Sequence, residues 1–542
     1  MDVIPLVIAG VTVAIIATLF ADFNRRKKGL RESPRYLALV NPQVRVLAMS
    51  AVVNEANQLW AKGDQAEAIR RLEAWRDTEP DVPDGDVRLI GYHLLGLYLA
   101  ATNRLPDAVP LLVQSLTYYE SPNVLVPSVA TTQVAIAHDE IARYHTIVGN
   151  IEAKQEHYLR AAEAWHAGDK RAYAARAYGH YHSNRGENLV AAERYAEAFA
   201  HAPADADPAF RWQMLLQQAM CLFSVGHYSA SLAVMRRVVA DYTPDAIGSV
   251  GCQAAAFVFA RNDYFDEARG WLTAAEARNE AVQDIAHTVN TWGLVLLYEG
   301  KYADSLARCD DYRASTAAKN EPVSAQVLMS YGNALSVVGR FGDAIAAHEL
   351  AIQNAPVTDT AAQLSNIACH HLALAIAHGE QGEYERGLAH LRDAGRNEQI
   401  ACSLAHYFPA ICLHLETRAG TVSPDAARTD AHRQLDALRN AASAFPTPTD
   451  ARRFYADTVA ELARTLLIAG FPGDALTALA WLTEDGATAS PGALPQWLYW
   501  RGRCHEAMDD AVAARHDYEA VVELAEPGTR HATDAAERLA RR

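Results

Sequence analysis

The chain has 542 residues, of which 50% are hydrophobic and 21% charged, and its formal net charge is -16. This composition is typical of a folded chain and too apolar for an intrinsically disordered one. Non-specific nucleic-acid binding requires a basic face that replaces the counterions of the phosphates. The body of the chain has no such face, since its lysines and arginines stand mostly beside acidic residues. We therefore expect no nucleic-acid partner.

The first predicted element is an apolar helix. Residues 3–20 contain no charged side chain, and about 18 helical residues extend roughly 27 Å, close to the thickness of a bilayer core. A secretory signal would have basic residues before the apolar run, but only Met1 and Asp2 precede this one. A buried core helix would show a polar face, but the only polar side chains here are two threonines. We favour an uncleaved transmembrane anchor over residues 1–24, with a cleaved signal and a buried or interfacial helix as alternatives.

A basic cluster follows the apolar run and begins a linker that we assign to residues 25–48. It consists of Arg25, Arg26, Lys27 and Lys28. Lysine and arginine beside a span remain in the cytoplasm, and none precedes this span. The pattern predicts that the rest of the chain lies in the cytoplasm. The cluster would also attract anionic lipid headgroups, by about 1 kcal/mol per residue, although a role in topology alone explains it equally well.

A helical repeat occupies most of the remaining sequence. In its clearest copy, a helical stripe is followed by a turn glycine, a second stripe and a terminating proline: Leu328, Tyr331, Gly332, Leu335, Gly339, Ala344, His348, Ala351 and Pro356. The first four positions share one helix face, and the small Gly332 and Ala344 allow two antiparallel helices to approach closely. Glycine suits the turn because it adopts a positive φ at little cost. The pattern resembles the tetratricopeptide repeat (TPR).

Similar patterns recur along the chain, beginning near Tyr92, Tyr178, Val289 and Leu498, with weaker copies between them. The resemblance implies an all-α fold, a TPR-type helix-turn-helix solenoid of about 12 repeats behind a single N-terminal transmembrane helix. The repeats cover residues 49–527.

Two wider spacings between repeats contain proline. They include residues 121–129 and 443–450, which are candidate hinges. We therefore divide the array into residues 49–442 and 443–527. The polar residues 528–542 are predicted to form a capping helix, which an open stack of repeats needs for solubility.

The sequence contains no recognisable catalytic or metal-binding motif. None of the seven cysteines is spaced CxxC, and none of the 21 histidines belongs to HExxH. Histidines cluster at His138 with His145, at His180 with His182, and in residues 369–371, but at spacings typical of helix packing or helix surfaces. We therefore expect no metal, no cofactor and no enzymatic activity.

The resemblance does imply a binding groove, because the first helix of each TPR unit lines the concave face. The register set by the glycines directs eight side chains inward: Arg176, His180, Gln213, Gln217, Gln253, Asn290, Gln326 and Asn333. Amides both donate and accept hydrogen bonds, which suits the backbone of an extended peptide. The alternative is that these are ordinary solvated residues. The lysines with which some TPR modules hold a C-terminal carboxylate are absent from these positions.

Together, the anchor and the repeats predict a membrane-tethered adaptor or scaffold that binds extended segments of partner proteins in the groove of a cytoplasmic array. This plan is similar to that of bacterial inner-membrane TPR adaptors, although one such family has a C-terminal CxxC knuckle that this chain lacks. The alternative is a periplasmic TPR assembly factor whose leader serves for export or as a reversed anchor. An enzyme on a repeat scaffold is disfavoured by the missing motifs. The sequence does not define an oligomeric state.

Overall fold

The computed structural model describes residues 42–78, 86–121, 127–279, 282–354, 361–396, 404–482 and 490–541. Within these ranges the chain forms helices joined by turns and loops, without β-strands. Numbered in chain order, the helices are α1 Pro42–Ala61, α2 Gln65–Thr78, α3 Asp86–Ala101, α4 Leu105–Tyr119, α5 Pro127–Val148, α6 Ile151–Ala167, α7 Arg171–Asn184, α8 Asn188–Ala200, α9 Pro208–Ser224, α10 Tyr228–Asp241, α11 Pro244–Arg261, α12 Phe265–Glu276, α13 Val282–Glu299, α14 Tyr302–Ala318, α15 Ala325–Val337, α16 Phe341–Asn354, α17 Ala361–Glu380, α18 Tyr384–Gly395, α19 Tyr407–Ala419, α20 Pro424–Ala442, α21 Pro448–Ile468, α22 Pro472–Trp481, α23 Leu494–Ala507, α24 Ala511–Leu524 and α25 Arg530–Ala540.

Successive helices form hairpins, in which an odd-numbered helix is followed by its even-numbered partner. A residue with positive φ lies in the turn of each hairpin: Gly63, Asn103, Gly149, Gly186, Gly226, Asp263, Gly300, Gly339, Gly382, Gly420, Gly470 and Asp509. Glycine has no Cβ to clash in this conformation, and asparagine and aspartate tolerate it better than other residues. These turns define twelve hairpins, with α25 following the last. The predicted all-α helix-turn-helix array of about 12 repeats is therefore confirmed.

Glycines on the first helix of a hairpin allow the second helix to approach. In four hairpins a Cβ at the glycine would lie less than 3 Å from a side chain sixteen residues further along: Gly96 and Leu112, Gly179 and Tyr195, Gly332 and His348, Gly502 and Tyr518. These are the glycine and large-residue positions of the TPR pattern. The close approach of the two helices that the repeat pattern predicts at these glycines is therefore confirmed in these four hairpins.

The chain falls into two compact units, Met1–Met214 and Leu215–Arg542, divided within α9. We call them the N-terminal unit and the C-terminal unit. A major core of the N-terminal unit surrounds Leu95, Tyr98 and Leu112. The largest core cluster of the C-terminal unit surrounds Val459 and Tyr518.

In the C-terminal unit, the segment that begins at α21 also packs against the turns of much earlier hairpins. The side chain of Asp450 in α21 accepts a hydrogen bond from the backbone N–H of Ser229 at 3.1 Å, across 221 residues of sequence. The hydroxyl of Tyr302 donates to the carbonyl oxygen of Gly492 at 2.7 Å, across 190 residues. Contacts of this range supplement the stacking of neighbouring repeats.

An ion-pair cluster, in which Arg464 is buried and its two partners are half-buried, strengthens the same packing. Glu380, at the end of α17, pairs with Arg464 of α21 and with Arg530 of α25. Arg530 also lies over the ring of Phe341, 5.2 Å from its centroid. Although burial alone would raise the pKa of Glu380, the two guanidinium groups lower it to about 2. This carboxylate is therefore ionised at neutral pH and links the α17–α18 hairpin to α21 and to α25.

None of the helices in the described ranges combines the length and the apolarity needed to cross a bilayer. The predicted anchor and the basic cluster Arg25, Arg26, Lys27 and Lys28 lie outside those ranges, so both stay predictions. The longest intervals between turns, from Asn103 to Gly149 and from Gly420 to Gly470, contain the two predicted hinge segments. Part of the first segment, residues 122–126, is outside the described ranges.

Candidate functional site

In the N-terminal unit, two of the predicted groove residues contribute to packing between helices. Arg176 of α7 pairs with Asp139 of α5, which also accepts a hydrogen bond from Nε1 of Trp165 at 2.9 Å. His180 is hydrogen-bonded through Nδ1 to the hydroxyl of Tyr195 at 2.8 Å. Burial and, to a lesser extent, the nearby Arg176 lower the pKa of His180 to about 3, so its imidazole is neutral at pH 7. Both side chains thus have internal roles.

The other predicted groove residues are amides on first helices. Gln213 of α9 is exposed, whereas Gln217, Gln253, Asn290, Gln326 and Asn333 are half-buried. Nε2 of Gln253 donates to Oγ of Ser249 at 2.9 Å and to Oγ1 of Thr288 at 2.8 Å, which ties α11 to α13. Oδ1 of Asn290 is buried and has no hydrogen-bond partner among the described residues. A partner-binding role for this row of amides stays a prediction.

A narrow cleft lies in the C-terminal unit where α21 and α23 meet the ends of α11 and α13. We call it the Asp457 cleft; it encloses about 30 Å³ and is lined by Ala260, Arg261, Tyr298, Arg453, Ala456, Asp457, Ser490, Ala493 and Trp497. This space admits a water molecule but no larger group without side-chain movement. Its two walls are nearly 200 residues apart in sequence, so no local sequence pattern predicts it.

Arg261 forms one wall of the Asp457 cleft. Its guanidinium lies 5.1 Å from the ring centroid of Tyr228 and 5.0 Å from that of Tyr298. Its Nη2 donates to the carbonyl oxygen of Arg453 at 3.2 Å, and Arg453 returns a bond from Nη1 to the carbonyl oxygen of Arg261 at 3.1 Å. Arginine over aromatic rings is stabilised by about 0.5–2 kcal/mol per contact. These contacts hold the cationic wall in place.

Asp457 supplies a negative charge in the same cleft. Its side chain is exposed to solvent, although protein surrounds it on several sides. These low-dielectric surroundings raise the pKa of Asp457, and the positive charge of Arg261 opposes that effect. An ionised carboxylate in such surroundings is stabilised by an additional cation. The cleft therefore combines one carboxylate with the guanidinium groups of Arg261 and Arg453.

Three pairs of histidines lie between neighbouring helices. The separation of their Nδ1 atoms is 2.8 Å for His138 and His157, 3.0 Å for His348 and His370, and 3.0 Å for His371 and His390. Burial lowers the pKa of every one of these histidines. The rings are therefore neutral at pH 7, and one Nδ1–H in each pair can donate to the lone pair of the other.

The third pair has a carboxylate beside it. Ligand atoms of His371, His390 and Asp393 all lie within 4.8 Å of one another, a grouping suited to a metal ion. Sequence analysis missed this set because its members lie on two helices. The sequence does show His390 and Asp393 three residues apart, on one face of α18. Only the packing of α17 against α18 places His371 beside them.

Comparisons with known proteins leave the family of this chain open. No family model and no curated protein matches it. A solved structure of a Rap protein complexed with competence and sporulation factor aligns with a TM-score of 0.42 at 12% identity, covering 68% of this chain and 99% of that one. The APC/C hetero-tetramer Cut9–Hcn1 aligns with a TM-score of 0.37 at 12% identity, covering 93% and 97%. Similarities of this size assign no ligand or partner; the TPR-like fold rests on the hairpins and glycine contacts of the chain itself.

Proposed function

We propose that the protein is a membrane-tethered scaffold that binds a segment of a partner protein in its C-terminal unit. The observation that carries the proposal is the lining of the Asp457 cleft, where a solvent-exposed carboxylate shares one narrow space with the aromatic side chains of Tyr298 and Trp497. A lysine or arginine of the partner would place its charge at Asp457 and its aliphatic stem against Tyr298 and Trp497. Some opening of the cleft accompanies binding, because the space present is only about 30 Å³.

The predicted amides extend this site along the same helices. Gln253 precedes Arg261 on α11 by eight residues, and Asn290 precedes Tyr298 on α13 by the same interval. Eight helical residues rise about 12 Å, a distance that an extended chain covers in roughly four residues. A short basic segment could therefore reach both the cleft and the amides.

We also propose that the scaffold is located at a membrane. Residues 1–24 would anchor the chain in a bacterial inner membrane, and the basic cluster at residues 25–28 would keep the repeat array in the cytoplasm. The scaffold would then hold its partner beside the bilayer, without a catalytic step or cofactor of its own. The periplasmic assembly factor is the alternative location for the same binding activity.

A photo-crosslinking amino acid at Ser490 tests the binding site in the full-length protein inside cells. We expect an adduct with a defined partner that is lost in Asp457→Lys, because the new ammonium group repels the basic segment. Asp436→Lys is the matched control, since Asp436 is exposed on α20 and does not line the cleft. An adduct that persists in folded Asp457→Lys would contradict the assignment of the site.

Carbonate extraction and protease accessibility test the tether. The full chain should remain with the membrane, and a chain without residues 1–24 should not. External protease should leave the array intact in spheroplasts and digest it after lysis. Digestion in intact spheroplasts would instead support the periplasmic alternative.

A further inference from the structure

The α17–α18 hairpin contains two histidines and one aspartate that face each other. Nδ1 of His371 on α17 lies 3.0 Å from Nδ1 of His390 on α18. Asp393 follows His390 by three residues, so both lie on one face of α18. One ligand atom from each residue lies within 4.8 Å of the other two.

These distances suit a single metal ion. Two nitrogen ligands about 2.1 Å from one ion, separated by 90° to 110°, stand roughly 3.0 to 3.4 Å apart. The observed nitrogen separation falls in that range without movement of either helix. Imidazole and carboxylate are both ligands of first-row transition ions. We propose that His371, His390 and Asp393 form a binding site for a divalent first-row transition-metal ion.

The surroundings orient His390 toward this site. The ring of His378 stacks on that of His390 at 5.2 Å between centroids, with 4° between the planes. Nδ1 of His378 is hydrogen-bonded to Glu383 at 2.7 Å, which holds the stacking ring in place. Outer contacts that orient a ligand are a regular feature of metal sites.

One ion pair must break when the metal ion binds. Asp393 pairs with Arg396 at 2.8 Å, and the side chain of Arg396 is 80% exposed. An exposed pair of this kind contributes at most about 1 kcal/mol. The carboxylate can therefore turn to the metal at small cost.

The pair formed by His138 and His157 lacks the third ligand. Its Nδ1 atoms are 2.8 Å apart, but Oε1 of Glu120 lies 3.3 Å from Nε2 of His138, away from the shared nitrogens. No other group of three metal-ligating residues is found among the described residues. This pair is therefore a natural control for a histidine contact without a metal.

The ion would connect the two helices of one hairpin. Three protein ligands leave at least one coordination position on Zn²⁺ for water or for a group supplied by a partner. All three residues are only half-buried, so solvent can reach that position. This inference is independent of the Asp457 cleft and goes beyond the proposed scaffold function.

The test uses full-length protein without a histidine tag, freed of metal by a chelator and titrated with Co²⁺, whose visible absorption reports coordination. We expect one equivalent to bind and Zn²⁺ to displace it. His390→Gln and Asp393→Asn should each weaken binding at least about tenfold, since even outer-shell changes weaken metal sites by 10- to 100-fold. His157→Gln should leave binding unchanged.

Two results would overturn the proposal. One is wild-type protein that binds no stoichiometric Co²⁺ or Zn²⁺. The other is binding that persists at the same affinity in both His390→Gln and Asp393→Asn, which would place the ion elsewhere. Circular dichroism of each variant establishes whether lost binding reflects lost folding. Asp393 is only half-buried, so Asp393→Asn should leave the core packing unchanged.

Discussion

The two units contain the same helical hairpins but differ in the range of the contacts that hold them. In the N-terminal unit, hydrogen bonds such as His93 to Gln133 connect neighbouring hairpins, 40 residues apart in sequence. In the C-terminal unit, Ser229 and Asp450 are hydrogen-bonded across 221 residues. Repeats that contact only their neighbours open locally. The added long-range contacts should make the C-terminal unit open more cooperatively.

The largest expected effect comes from Glu380→Gln in the C-terminal unit. Removing the carboxylate leaves Arg464 and Arg530 without a shared counter-charge, and breaking a buried pair costs about 3–5 kcal/mol. We expect about 3 kcal/mol, since Arg464 keeps its contact with Glu461 at 2.9 Å. Hydrogen exchange should accelerate both in α21 and in the earlier turns near Gly226.

Glu385 is exposed on α18, so Glu385→Gln is the control for charge removal and should leave hydrogen exchange unchanged.

The dependence of stability on pH is a second test of the Glu380 ion pairs. Because the pKa of Glu380 is lowered to about 2 from 4.5, its stabilisation is complete above about pH 4.5 and is lost as the pH falls toward 2. If hydrogen exchange in Glu380→Gln accelerated only in α17 and α18, the coupling of Glu380 to α21 and to the earlier turns would be contradicted.

The next effect tests neighbour packing in the N-terminal unit through Gly179→Ala. The added Cβ would lie 2.7 Å from the ring of Tyr195, so the α7–α8 hairpin must shift, at a cost of about 1–3 kcal/mol. Hydrogen exchange should accelerate in this hairpin and its neighbours. Gly270→Ala in α12 is the matched control; no atom lies within 4 Å of the new Cβ, so a gain of about 0.5–1 kcal/mol is expected.

The smallest effect is the pH response of His93 in the N-terminal unit. Burial lowers the pKa of His93 to about 4, although a hydrogen bond to Gln133 opposes the shift. A histidine whose folded pKa lies below its unfolded value of about 6.5 stabilises the fold fully above pH 6.5 and loses that contribution as the pH falls toward 4. At pH 5.5 the loss is about 1 kcal/mol.

Opening free energies of α3 at pH 7 and 5.5, measured by hydrogen exchange corrected for intrinsic rates, test this expectation. The difference between the two pH values should be smaller in His93→Gln than in the wild type. An equal difference in both proteins would assign the pH response to other groups.

The local architecture was predictable because its causes are local. Gly339 in a turn and Gly332 opposite His348 are recognisable from spacing alone, since glycine is required for positive φ and for close helix approach. The candidate site was predictable only in part. Gln253 lies on the expected first helix, but its bonds to Ser249 and Thr288 depend on how α11 packs against α13.

The sequence by itself determined the helical class, the helix-turn-helix repeat, the twelve turns and the register of glycine against large side chains, since these follow from periodicity and backbone sterics within about 40 residues. It also motivates a membrane anchor at residues 1–24, which lies outside the described ranges. Only the tertiary structure decided which side chains of different helices come together: Glu380 with Arg464 and Arg530, Arg261 with Asp457, and His371 with His390 and Asp393. The histidine set depends on helix rotation within one hairpin, and the other two pairings depend on packing between sequence-distant hairpins. Neither leaves a periodic signal in the residues themselves.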